Sequence, residues 1–212
     1  MLVASLLIQA ATNMFNEYYG FKRGLDNENS VGIGGTIVRH GVAPRTIMII
    51  ALSFYLIAMI LGVYICAKSS WWLVAVGLVC MLIGFLYTGG PFPIAYSPFG
   101  ELVSGVVMGM GIVLISFFIQ AKTVTYDAVL ISVPSMILVG AIMLSNNIRD
   151  IVGDTEGGRK TLAILVGRGA AVNILAAFFI VSFAWIVGLI LFNDLTWFAL
   201  IVFICVKKPI DA

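Results

Sequence analysis

"RTIMIIALSFYLIAMILGVYICA", residues 45–67, passes from one arginine through a long apolar tract with no further charge. A hydrocarbon core about 30 Å thick takes roughly 20 apolar residues of helix to cross, so this tract is long enough to span it. Further apolar runs at about 1–19, 71–88, 101–121, 127–148, 170–192 and 195–206 are each bounded by glycine, proline, tryptophan or charge. Composition agrees: the 212 residues are 61% hydrophobic and only 10% charged, whereas soluble domains carry about 25% charged residues. The expected fold class is all-α, a polytopic transmembrane helical bundle of about seven spans making one domain over residues 1–212.

Composition also removes several function classes. A net charge of +2 with scattered basic residues offers no nucleic-acid surface. A single histidine cannot build a His-based metal site, and His40 reads as a loop residue. Cys66, Cys80 and Cys205 lie inside apolar runs without a CxxC partner and read as small hydrophobes. "GIGGTIVRHG" (32–41) follows no strand and is not a nucleotide loop. The opening "MLVASLLIQAATNMF" (1–15) has neither a basic region nor a small-residue cleavage site, so it reads as helix interior rather than as a signal peptide.

The basic residues set an orientation. Lys22, Arg23, Arg39, Arg45, Arg149, Arg159, Lys160, Arg168, Lys207 and Lys208 fall on loops of one side, against Lys68 and Lys122 on the other. Cytoplasmic loops near span ends collect positive charge, so residues 17–44, 88–100 and 149–169 are expected to share the cytoplasmic face of a plasma-membrane protein. That face is where chemistry is expected.

Two polar clusters lie there. "SNNIRDIVGDTEGGRKTLA" (145–163) places Asn146, Asp150 and Asp154 at i, i+4 and i+8, one stripe of a helix leaving the membrane. Carboxylates so spaced repel one another unless a cation sits between them, and hard oxygen ligands suit Mg²⁺ bridged to substrate phosphates. Asn147 and Arg149 lie just off the stripe; Arg159 and Lys160 follow as donors for phosphate oxygens. "TNMFNEYYGFKRGLDNENS" (12–30) sets Asn13, Asn16 and Glu17 near a helix end, then Lys22 and Arg23, then Asp26, Glu28 and Asn29 in the loop. A diphosphate bridged by Mg²⁺ between two such helix ends would leave its allylic tail in the apolar bundle. Between the clusters, "YTGGPFPIAYSPFGE" (87–101) cannot be regular helix; Tyr87, Tyr96 and Glu101 are candidates for shaping a pocket, although tyrosines at this depth also serve as interfacial belts.

These motifs resemble those of the UbiA superfamily of intramembrane prenyltransferases. "NEYYGFKRGLD" (16–26) is similar to its first Asn-Asp-x-x-Asp type motif and "NNIRDIVGDTEGGRKTL" (146–162) to its second. "GLDNENSVGIGGTIVRHG" (24–41) and "YTGGPFPIAYSPFGE" resemble the branch acting on 1,4-dihydroxy-2-naphthoate in menaquinone synthesis. The resemblance implies a bundle normally of nine spans, of which this chain covers the middle, and Mg²⁺-dependent transfer from polyprenyl diphosphate to 1,4-dihydroxy-2-naphthoate with loss of carbon dioxide, giving demethylmenaquinone. Asn16, Glu17 and Asp26 would form the first catalytic and metal motif, and Asp150 and Asp154, with Asn146, the second. Lys22, Arg23 and Lys160 would contact diphosphate. Gly20 departs from the pattern, standing where the first motif usually has its second Asp, and Glu17 replaces an Asp. Other acceptors used in the superfamily (hydroxybenzoate, homogentisate, haem or chlorophyll precursors), an inactive homologue, and a divalent-cation transporter remain as alternatives.

Overall fold

The computed structural model describes residues 1–26, 35–192 and 195–206, the side chains of Cys205 and Val206 excepted. Glu28, Asn29, Gly32 to Gly34, Lys207, Lys208 and the Cys205 thiol therefore lie outside the described residues. Everything described is helix, turn or loop, with no strand among the described residues. Helix α1 spans Leu2–Lys22, α2 Thr36–His40, α3 Pro44–Lys68, α4 Leu73–Leu86, α5 Gly100–Ala121, α6 Tyr126–Arg149, α7 Ile151–Glu156, α8 Leu162–Val166 and α9 Arg168–Leu191. Short 3-10 segments occupy Ile94–Tyr96 and Trp197–Val206.

Four of these, α3, α5, α6 and α9, are long and apolar enough to cross a membrane. At 1.5 Å per residue the 25 residues of α3 reach about 37 Å. α1 has comparable length but carries Gln9, Asn13, Asn16 and Glu17. α4 is strongly apolar but has 14 residues, about 21 Å.

The bundle has two halves. In one, α1 packs along α3 and α4, and buried Phe15 meets the rings of Tyr55 and Phe85 edge-on at 5.0 and 5.3 Å. In the other, α6 packs against α5 and α9 around buried Leu144, Ile148, Ala163 and Ala171. The close approach of α5 to α6 needs small residues: a Cβ on Gly109 would lie 2.6 Å from the Met136 Cα and the Ser135 carbonyl oxygen. This stretch of α5, Gly105–Gly111, is wound as π-helix, a form often found at functional sites.

Pro134 inside α6 has no N–H for the carbonyl of Leu130. With no water in hydrocarbon to replace that donor, the indole N–H of Trp185 on α9 donates to the Leu130 oxygen at 3.0 Å. The helix break thus becomes an interhelical bond.

The halves meet at both ends. At one end Trp72 meets Phe118 at 4.8 Å and the Lys122 ammonium donates to the Lys68 carbonyl. The two basic residues assigned by sequence to the sparsely charged side are thus neighbours. At the other end the loops after α1, α4 and α7 converge.

Candidate active site

The register of the second cluster survives a break in its helix. α6 ends at Arg149 and α7 begins at Ile151, yet the Asp150 N–H donates to the Asn146 carbonyl at 3.0 Å and the Asp154 N–H to the Asp150 carbonyl at 2.9 Å. Asn146, Asp150 and Asp154 therefore remain successive on one side. Asp154 is only 6% exposed; one oxygen pairs with the Arg159 guanidinium at 2.9 Å, while Oδ2 has no hydrogen-bond partner. Asp150 is gripped by its neighbour Arg149 through two bonds of 2.8 and 2.7 Å.

The first cluster comes to meet it. The chain turns after α1 so that the N–H of Leu25 bonds the Gly20 carbonyl at 2.9 Å, and the Asp26 carboxylate folds over Gly20. A Cβ at position 20 would collide with Asp26 Oδ2 and lie 2.9 Å from its Cγ. The missing side chain of the motif is thus the room that Asp26 fills. Burial pushes the Asp26 carboxyl up from its ordinary value; Arg159 opposes this, and Glu17 and Asp150 add to it. Burial likewise pushes Asp154 up, opposed by Arg159 and Arg149 and reinforced by Asp150 and Asp26. These charges from helix ends far apart in sequence thus lie within electrostatic reach, with Arg159 common to both acids.

Basic and aromatic residues hold this junction together. Arg23 donates to the carbonyls of Thr88 at 2.6 Å and Gly90 at 2.8 Å, and its guanidinium lies 5.2 Å from the rings of Tyr19 and Tyr96. Arg159 stands 5.2 Å from the same Tyr96 ring. Tyr96 is therefore flanked by two guanidinium groups, a cation–π arrangement joining both motifs to the central loop, and its carbonyl accepts from the Lys160 N–H at 3.0 Å. Glu17 accepts from the Ile37 N–H at 2.8 Å, capping α2. The Lys22 and Lys160 side chains are exposed; Lys22 lies 6.0 Å from the Tyr18 ring.

Above the acids a cavity of about 350 Å³ runs between the halves, walled mainly by α1, α3, α4 and α5. Its polar lining includes Asn13, Asn16, Tyr87 and Asn146, and the remainder is chiefly apolar, extending to Met1, Cys66, Leu73 and Ile119. Asn147 points elsewhere: its amide donates at 2.8 Å to Glu101, which is 4% exposed and keeps Oε2 without a partner. Sequence spacing does not reveal this pair; its one trace is a lone carboxylate opening an otherwise apolar helix. Arg159, read from sequence as a phosphate donor, holds Asp154.

The oxygen donors fit a hard cation. Asp154 Oδ2 is buried and unpartnered, and Asp26 and Asp150 lie close enough to perturb it. Among the described residues no three acids form a ready metal cage.

Comparison with known proteins accords with this architecture. The family model described as "UbiA prenyltransferase family" matches residues 1–207. The 1,4-dihydroxy-2-naphthoate octaprenyltransferase of Bacillus subtilis (strain 168) is 61% identical over 212 residues, all of this chain and 68% of that protein. The protein of the same name from Mycobacterium tuberculosis is 30% identical over 166 residues, 78% of this chain and 56% of its own length. UbiA prenyltransferase domain-containing protein 1 of Rattus norvegicus is 31% identical over 168 residues, again 78% of this chain and 49% of its own. The chain thus spans about half to two thirds of these relatives, and on the match across almost all of its own length it belongs to the UbiA prenyltransferase family.

Proposed function

We propose that the protein transfers a polyprenyl chain from its diphosphate to 1,4-dihydroxy-2-naphthoate, with Mg²⁺ and with loss of the ring carboxylate as carbon dioxide, giving demethylmenaquinone in its reduced, hydroquinone form. The observation that carries the reading is the meeting of two acidic helix ends, whose helices also give Asn16 and Asn146 to the lining of an apolar cavity. The naphthoate acceptor is favoured by the 61% identity to a relative of that name.

In this reading the tail lies in the cavity and the diphosphate lies against Asp26, Asp150 and Asp154, with Asn16, Asn146 and Tyr87 near the reacting carbon. Bound Mg²⁺ would supply Lewis-acid stabilisation of the leaving diphosphate. The allylic C–O bond breaks with its electron pair going to diphosphate, the electron-rich ring supplies the pair for the new C–C bond, and the ring–carboxylate bond then breaks with its pair returning to the ring as carbon dioxide leaves. The chain's own contribution is placement: a buried Asp154 beside a half-buried Asp26, an arginine that balances their charge, and an apolar wall that keeps water from the allylic centre. No nucleophilic side chain is required.

A cation transporter would carry its acids at mid-membrane, whereas here Asp26, Asp150 and Asp154 are gathered at one end of the bundle. The test is radiolabelled polyprenyl transfer to 1,4-dihydroxy-2-naphthoate in membranes, with and without Mg²⁺. Wild type is expected to make Mg²⁺-dependent product, and Asp150→Ala and Asp154→Ala to fall by about 100-fold or more, the scale lost with a transition-state contact. Retained activity in both variants would sink the mechanism.

A further inference from the structure

The cavity wall carries two glycines that neither the backbone nor the packing requires. The Tyr55 hydroxyl donates to the Met81 carbonyl at 3.0 Å, and a Cβ on Gly84 would lie 2.8 Å from that hydroxyl. α3 and α4 form a hairpin, so this contact sets their register. Two turns further from the acids, seven residues on from Tyr55 is Gly62 and seven back from Gly84 is Gly77. Both line the cavity. A Cβ at either would meet no heavy atom within 4 Å, and neither has a positive φ. Glycine inside a helix is unfavourable relative to alanine, so no helical or packing reason accounts for either one. What their missing side chains provide is width, at a level about 15 Å beyond Tyr87, counting ten residues back from it along α4 at 1.5 Å each.

We propose that Gly62 and Gly77 form the passage for the distal part of a long polyprenyl chain and so determine which donor lengths the protein accepts. The inference rests on the prenyl-transfer reading and adds the residues that set selectivity within it. A short allylic diphosphate ends before this level, whereas a long one must pass it.

The test compares wild type, Gly62→Phe, Gly77→Phe and Gly188→Phe in membranes, each titrated with geranyl diphosphate and with octaprenyl diphosphate at fixed acceptor. Gly188 lies on α9, does not line the cavity, and also has nothing within 4 Å of an added Cβ, so it controls for bulk on a helix. The long-to-short ratio of kcat/KM is expected to fall by about tenfold or more in either cavity variant, the scale on which a pocket rejects surplus bulk, and to hold in Gly188→Phe. A smaller change in both cavity variants, including equal loss for the two donors, overturns the inference. Gly62→Leu and Gly77→Leu replace any phenylalanine variant that does not accumulate and are read by the same ratio. Transfer by wild type from neither donor overturns the prenyl-transfer reading itself, and this inference with it.

Discussion

At Gly20 the absence of a side chain lets the Asp26 carboxylate fold over the backbone. The sequence places Gly20 where the family pattern has an acid, and the fold lays the Asp26 carboxylate over it. Gly20→Ala is therefore expected to displace Asp26 and lower Mg²⁺-dependent transfer by about 10-fold, the usual scale for disturbing a metal-ligand contact, while Gly20→Asp, which brings its own carboxylate, retains more activity than Gly20→Ala. Transfer assays over a Mg²⁺ titration check the order. Protonation is the second residue-level consequence. Burial raises the Asp26 and Asp154 carboxyls above 3.8, so their neutral forms persist to higher pH than in a free chain. Activity that needs the charged oxygens is then lost as pH falls through a value above 3.8. Mg²⁺ competes with protons for the same oxygens, so raising its concentration is expected to move the acid limb of kcat/KM to lower pH. A limb that ignores Mg²⁺ would separate these acids from the metal.

At the scale of the element, α6 combines a proline break, a glycine contact and the second acidic stripe. Pro134 leaves the Leu130 carbonyl without its helical donor, and Trp185 of α9 supplies one. Trp185→Phe keeps the ring and removes the N–H; a carbonyl left unpaired where hydrocarbon offers no water is expected to cost about 1–3 kcal/mol, read as lower thermal stability in detergent. Pro134→Ala restores the N–H within the helix, so the same tryptophan change should cost less in that background. A double-mutant cycle measures the difference, and equal costs in the two backgrounds would show that the bond does not serve this carbonyl. From sequence, Pro134 was simply part of an apolar run, because nothing local says which neighbouring helix donates to the freed oxygen.

At the scale of the whole molecule, the charge asymmetry and the architecture concur. The loops after α1, α4 and α7 meet through Arg23, Tyr96 and Arg159 at one end, and Lys68 and Lys122 meet at the other. If the basic end is cytoplasmic, Glu156→Cys is labelled by a membrane-impermeant maleimide only after the cells are opened, and Lys122→Cys is labelled in intact cells. Cys66 is buried; Cys66→Ala, Cys80→Ala and Cys205→Ala in the same background leave the engineered thiols to report. The reverse pattern would invert the orientation.

Membrane class, helical fold and the residue types of the site were readable from sequence because each depends on local patterning: apolar runs long enough for a bilayer, carboxylates at helical spacing, and basic loops on alternate ends. The i, i+4, i+8 stripe could be drawn from spacing alone, and it holds through the break at Asp150 because the hydrogen bonds continue there. Tertiary structure decided what spacing cannot reach. It committed two donors of Arg23 to carbonyls and paired Asn147 with Glu101, since those partners stand 65, 67 and 46 residues away. It also set Asp26 over Gly20 and opened the cavity between the halves, because the path of a turn and the gap between packed helices depend on the whole bundle rather than on any one segment.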